Sequence, residues 1–213
     1  MRTMHCFPRR GAARGLLALA CVLAAAGCGG RRPPGQPAPA TSVAPMDLGG
    51  QRVLLLPVQA SAGLGINREE ITRVLVEAIT TRDTRTQWIT PERLRRSLSQ
   101  SPTFAPDPAA LPNDPYISHG ERRVTGPLMD VIRRYMALTE ARLVFIPRSA
   151  VYLPGDSVSP GKVRLSAAVV DARTGSLVWW GEADGQPGAP DAPESIATAA
   201  RAMAVRLVVP DSR

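Results

Sequence analysis

Val163–Gly185 reads VRLSAAVVDARTGSLVWWGEADG, and the reading of this stretch decides the fold. From Lys162 to Asp171 residues alternate, with Val163, Leu165, Ala167 and Val169 facing one way, the period of a strand with one buried face. Asp171-Ala172-Arg173-Thr174-Gly175 then reverses the chain, with a glycine able to take positive φ. Ser176 to Ala183 returns as the hairpin partner. Trp179 and Trp180 are neighbours in that strand and so point to opposite faces. Trp179 shares its parity with Leu177 and belongs to the core. Trp180 shares its parity with Val178, Glu182 and Asp184. It is either exposed, as an anchor for a partner, or covered by a helix against which it only packs.

Upstream, Val53-Leu54-Leu55-Leu56 closed by Pro57 suits a buried strand. The loop SAGLGI leads to Asn67, a good N-cap, with Glu70 placed for a capping box. Ile71, Val74, Leu75, Ala78 and Ile79 then form one apolar helical face. A short strand around Gln87–Ile89 runs into Thr90-Pro91-Glu92, an N-cap followed by proline at the first helical position, which predicts a helix carrying Leu94 and Leu98. Strand, helix and strand at this spacing make a parallel crossover. A third helix is expected from Pro127 to Ala141, then an apolar strand, Leu143–Leu153, that Pro147 bulges or ends. A last helix covers Pro193 to about Val208. The expectation is one α/β (α+β) domain with a mixed sheet of about four to five strands and about four helices, in the order β-α-β-α-loop-α-β-β-β-α.

Between residues 100 and 126 regularity is lost, because Pro102, Pro106, Pro108, Pro112 and Pro115 interrupt any element. A loop of this length within a domain is either functional or disordered. It holds Tyr116, His119, Arg122 and Arg123. His119 is the only histidine after the leader, and no nucleophile or metal-ligand spacing surrounds it.

The N-terminus carries a different message. Arg2, Arg9, Arg10 and Arg14 precede an apolar run from Leu16 to Ala26, too short to span a bilayer and suited to a secretory leader. Ala25-Ala26-Gly27-Cys28 resembles the bacterial lipobox, which implies lipidation of Cys28 after cleavage. An ordinary cleaved signal with an incidental cysteine is the alternative. Gly29 is not the aspartate that resembles an inner-membrane retention signal, so the expected location is the outer membrane, facing the periplasm. The expected layout is a signal peptide over 1–27, lipidated Cys28 and a Pro/Gly/Ala-rich linker over 28–50, and a domain over 51–210. As a random coil the linker spans roughly 25 Å, and roughly 60 Å if its prolines hold it extended.

Composition fits that layout. Cys6, Cys21 and Cys28 all lie at or before the cleavage point, so the domain has no disulfide and no thiolate metal site. Loss of the leader arginines takes the formal charge from +8 to +4, with 22 basic against 18 acidic residues. Those arginines are dispersed among acids, which argues against a nucleic-acid partner.

The order of elements, with VLLLPV, an A-R-L-V segment and the hairpin Val169–Trp179, resembles the periplasmic domains of the curli-secretion lipoprotein (CsgG) family, the lipoprotein activators of penicillin-binding proteins (LpoB) and the TolB N-terminal domain. The sharpest piece is the hairpin, similar to the "v-D-x-x-T-G-x-x-x-W" pattern of those groups. Where they usually carry a Gly-Ala-Asp-type turn this chain has Thr139-Glu140-Ala141-Arg142. The resemblance implies a non-catalytic accessory module in envelope assembly, such as activation of a cell-wall synthase, with an envelope protein as partner. A subunit of a CsgG-like secretion complex is the alternative, although the proline-rich insertion cannot supply regular membrane strands. An uncharacterised enzyme is a second alternative, with no recognisable catalytic spacing behind it. No cofactor, metal or catalytic residue is assigned; the candidate partner-binding residues are Trp180, Arg122, Arg123 and Tyr116.

Overall fold

The computed structural model describes residues 44–112 and 123–210. Their elements in chain order are β1 (Arg52–Leu55), β2 (Ala60–Ala62), α1 (Arg68–Arg82), β3 (Gln87–Ile89), α2 (Pro91–Ser99), α3 (Gly126–Thr139), β4 (Leu143–Leu153), β5 (Lys162–Asp171), β6 (Leu177–Pro187) and α4 (Pro193–Leu207). The sheet runs β3-β1-β4-β5-β6, with β2 added beside the far half of β4. β1 pairs in parallel with β3 and β4, whereas β5 and β6 join antiparallel, so the sheet is mixed as expected.

The caps follow the sequence. The Asn67 side chain accepts from the Glu70 amide at 2.8 Å and the Thr90 hydroxyl from the Arg93 amide at 3.5 Å. Glu70 does not complete a capping box; its carboxylate is taken by Arg73 at 2.6 Å. β2 is an element that the loop reading overlooked. Its three residues are exposed and alanine-rich, and only the pairing of Ala60–Ala62 with Ser149–Val151 makes them a strand.

Two apolar layers sandwich the sheet. Val53, Leu55, Phe145, Val163, Leu165, Val169 and Trp179 pack under α1 and α4. Leu54, Leu56, Val144, Ile146, Ala168 and Val170 pack with α2 and α3 on the other face. β4 is one strand through Pro147, with a register shift between Pro147 and Ser149 that carries the bulge. A second shift, between Val169 and Val170, corrects the parity reading of β6. Trp179 is 1% exposed in the α1/α4 layer, but Leu177 packs in the opposite layer beside Trp180. The intervening Val178 is 37% exposed.

The domain also begins earlier than its first strand. Met46 bridges Val208 in parallel, with its amide on Leu207 O at 2.8 Å, and Leu48 is 1% exposed. The packed unit thus reaches back into the segment assigned to the linker.

The proline-rich loop is fastened over its described part. Gln59 Nε2 donates to Pro108 O at 2.9 Å and its Oε1 accepts from the Leu111 amide at 3.2 Å. Arg68 Nη1 donates to Ala109 O, and the Tyr135 hydroxyl donates to Pro106 O at 2.9 Å. Burial holds the Tyr135 hydroxyl well above its ordinary pKa, with Asp107 adding to it, so it remains a donor. Residues 102–112 are part of the fold: removing them would take Ala105 and Leu111 from the second apolar layer and leave the Tyr135 hydroxyl without its acceptor.

Candidate functional site

The α2/α3 face of the sheet changes character along its length. Near the middle it is dry. Toward the end of β4 and the start of β5 the side chains become half-exposed and polar, from Trp180 and Ser166 to Arg164, Glu182 and Asp184. The ladder sets their order: Ala168 opposes Trp180, Ser166 opposes Glu182 and Arg164 opposes Asp184.

Charges here are paired tightly. Arg164 grips Asp184 with both prongs, Nε to Oδ1 at 2.7 Å and Nη2 to Oδ2 at 3.0 Å. Lys162 Nζ adds to Asp184 Oδ2 at 2.6 Å, and Arg164 Nη1 lies 3.6 Å from Glu182. The Arg164 hydrogen bonds, opposed by partial burial and helped by Lys162, pull the Asp184 carboxyl down to a pKa of about 2. The same contact raises Arg164. Ser149 and Ser166 join across β4 and β5 with their hydroxyls 2.7 Å apart. A forked guanidinium–carboxylate pair is more rigid than ordinary surface ion pairs. The result is a pre-ordered strip of one aromatic side chain and locked charges, chemically suited to docking a polypeptide surface.

Trp180 therefore lies where the sequence reading put it, on the more polar face, but it is half-buried against the second core layer. Arg123 is exposed, and its Nε donates to Thr174 O at 3.0 Å, so part of its role is to hold the hairpin turn. The Val124 amide also bonds Gly175 O, at 2.7 Å. Cys28, Tyr116, His119 and Arg122 lie outside the described residues. Lys162, Arg164, Ser149 and Ser166 were missed. Their signal was the alternation of β5, whose second set of residues, Arg164 and Ser166, opposes the Glu182/Asp184 set of β6. Among the described residues no group of His, Cys, Asp or Glu is arranged to hold a metal, and no helix is long and apolar enough to cross a membrane.

Asp171 anchors the turn. Burial alone would raise its carboxyl, but the amides of Thr174 and Arg173, each 3.0 Å from Oδ1, and the Arg142 guanidinium pull it below the usual range. This explains the D-x-x-T-G spacing physically: aspartate caps two amides, threonine reaches Ser176 at 3.1 Å, and glycine turns with φ 76°.

The two ends of the domain differ in charge. Among the described residues, the end where the chain enters holds Arg52, Arg82, Arg85, Arg123, Arg142, Arg173 and Arg206, with Asp47, Asp83, Glu140 and Asp171. Ion pairs join six of them: Arg85 pairs with Asp47, Arg52 with Glu140, and Arg142 with Asp171. Asp83 and Asp171 are buried, 1% and 7% exposed. The opposite end holds Glu69, Glu70, Asp107, Asp156, Asp184, Asp191 and Glu194 with Arg68, Arg73, Arg95, Lys162 and Arg164, seven acids against five bases.

No family model matches the chain, and no curated protein matches it. Among solved structures it is similar to the LpoB C-terminal domain from Salmonella enterica, at 17% identity over 67% of this chain and 87% of that one, with a TM-score of 0.43. It is also similar to lipoprotein GNA1162 from Neisseria meningitidis, at 12% identity over 68% and 86% of the two chains, with a TM-score of 0.40. A PelC dodecamer from Paraburkholderia phytofirmans matches at 11% identity over 78% and 94%, with a TM-score of 0.38. The LpoB group named by the hairpin is thus among the solved proteins that this chain resembles in fold.

Proposed function

We propose that the chain is a membrane-anchored, periplasm-facing lipoprotein that serves as a non-catalytic accessory module for an envelope protein, such as a cell-wall synthase. The anchor is Cys28, behind a positive leader and an apolar run, and the outer membrane is the expected site. The observation that carries the binding reading is the strip on β5 and β6. There a half-buried Trp180 shares a face with an Arg164–Asp184 pair fixed by two hydrogen bonds, with Ser166 and Glu182 between them. Aromatic anchors beside pre-ordered charges are what interface hot spots require. The hairpin resemblance to the activator lipoproteins and the leader point the same way.

The test measures affinity of the mature chain for the bifunctional peptidoglycan synthase of its own envelope. Trp180→Ala should weaken capture about fivefold or more, the scale of an interface anchor. Unchanged affinity in a folded Trp180→Ala variant would remove the strip from the interface. Fatty-acid labelling of the wild type and its absence in Cys28→Ser tests the anchor separately.

A further inference from the structure

We propose that the chain-entry end of the domain is itself a membrane-contact surface, docking on anionic phospholipid phosphates and holding the opposite, acidic end away. The inference rests on the anchored reading above, and on three observations of the described residues.

The first is position. Met46 is zipped to Val208, with amide bonds of 2.8 Å and 3.2 Å, so the chain leaves the packed unit toward Cys28 at this end. If the linker is the tether its composition implies, roughly 25 to 60 Å long, this end is the first part of the domain that the tether brings to the bilayer. The second is charge. Seven arginines, Arg52, Arg82, Arg85, Arg123, Arg142, Arg173 and Arg206, lie at this end against four acids, Asp47, Asp83, Glu140 and Asp171, so an excess of three positive charges remains after the pairs Arg85–Asp47, Arg52–Glu140 and Arg142–Asp171 are counted as neutral. The far end has the reverse balance, so the molecule is polarised along the direction of its tether. An anionic surface attracts each nearby arginine and repels the acidic end. The third is apolar exposure. Val205 and Val209 are 49% and 42% exposed on the last turn of α4 and just beyond it, on either side of the Met46 bridge. Val205 shares a groove with Arg82 and Arg201, and exposed valines beside guanidinium groups suit a lipid headgroup layer, where apolar side chains enter and the charged heads remain with the phosphates.

Arg82 and Arg206 also have a local duty, since each lies in the last turn of a helix and offsets its negative end. Arg52, Arg142 and Arg173 lie outside helices, so the dipoles do not account for them.

The experiment uses the full mature lipoprotein reconstituted into two kinds of vesicle, phosphatidylglycerol with phosphatidylethanolamine, and phosphatidylcholine with phosphatidylethanolamine. Flotation reads the anchor, and amide hydrogen exchange reads contact. On anionic vesicles at low salt, exchange over residues 82–87, 140–142, 172–174 and 205–209 should slow severalfold, and 0.5 M salt should reverse it. The triple variant Arg52→Gln, Arg142→Gln, Arg173→Gln should still float but lose the slowing, at about fivefold per arginine in the docked population. A control with equal charge loss elsewhere, Arg73→Gln, Arg95→Gln, Arg133→Gln, should keep it. Equal slowing on both vesicle types, or none on either, would overturn the proposal. Failure to float on neutral vesicles would strike only the anchor, because protection by anionic vesicles is read on a separate sample.

Discussion

At the scale of single residues, the paired tryptophans separate two kinds of burial. Trp179 is 1% exposed, stacks obliquely on Phe145 with ring centroids 6.4 Å apart, and leaves its Nε1 without a hydrogen-bond partner. Its contribution is therefore packing, and Trp179→Ala should cost about 3–5 kcal/mol in chemical denaturation. Trp179→Phe should cost clearly less, since it removes an orphaned donor along with part of the ring. Trp180→Ala should fall below the Trp179→Ala cost, because part of its surface is already in water. Asp184 sets an acid limit. Its pKa is depressed to about 2, so its contribution is complete above about pH 4, where the unfolded carboxyl is ionised, and fades as pH falls through about 2. Asp184→Asn should flatten that part of the acid-unfolding profile. If the slope between pH 4 and 2 is the same in both proteins, the pair with Arg164 contributes nothing.

At the scale of elements, Gly175 and Glu140 use left-handed backbone with opposite choices of residue. Gly175 takes φ 76° in the hairpin, and a Cβ there would meet Val124 O at 2.6 Å. Gly175→Ala should destabilise by more than about 1 kcal/mol, from strain and from displacing the Val124 segment. Glu140 ends α3 at φ 53° although it is not a glycine. This is the Thr139–Arg142 turn, where the resembling families usually place glycine. The strain of a side chain in this region is about 1–2 kcal/mol, whereas an exposed ion pair such as Arg52–Glu140 contributes about 0–1 kcal/mol. Glu140→Gly should therefore leave thermal stability unchanged or raise it. A marked fall in the unfolding midpoint would mean the pair outweighs the strain.

At the scale of the molecule, both apolar layers draw only on residues between Leu48 and Val208, without cysteine. A chain starting at Ala44 should unfold cooperatively, with a midpoint indifferent to reductant or chelator. A chain starting at Arg52 should be less stable by about 2–4 kcal/mol, because it lacks Leu48 and the Met46 bridge. Equal midpoints would show that residues 44–51 only rest on the surface.

Much of this fold was legible because its signals are local. Alternation in β5, the caps Asn67 and Thr90, and the D-x-x-T-G turn each follow from short-range hydrogen bonding and side-chain period, which the chain carries residue by residue. Parity failed at Leu177, since a one-residue slip in the ladder depends on how two strands meet. β2 stayed hidden because three small exposed residues become a strand only when β4 offers its edge. The same holds for the Gln59, Arg68 and Tyr135 fastenings of the proline-rich loop, which pair side chains with backbone groups about 30 to 50 positions away. The candidate site divides along that line. By itself the sequence determined the strands other than β2, the helices and the turn, and the opposite facings of Trp179 and Trp180. Only the tertiary structure decided that Arg164 meets Asp184, that Leu48 is core, and that the arginines of six separate segments gather at the chain-entry end. Those outcomes depend on register and on distant backbone partners, and neither is encoded within a window of neighbouring residues.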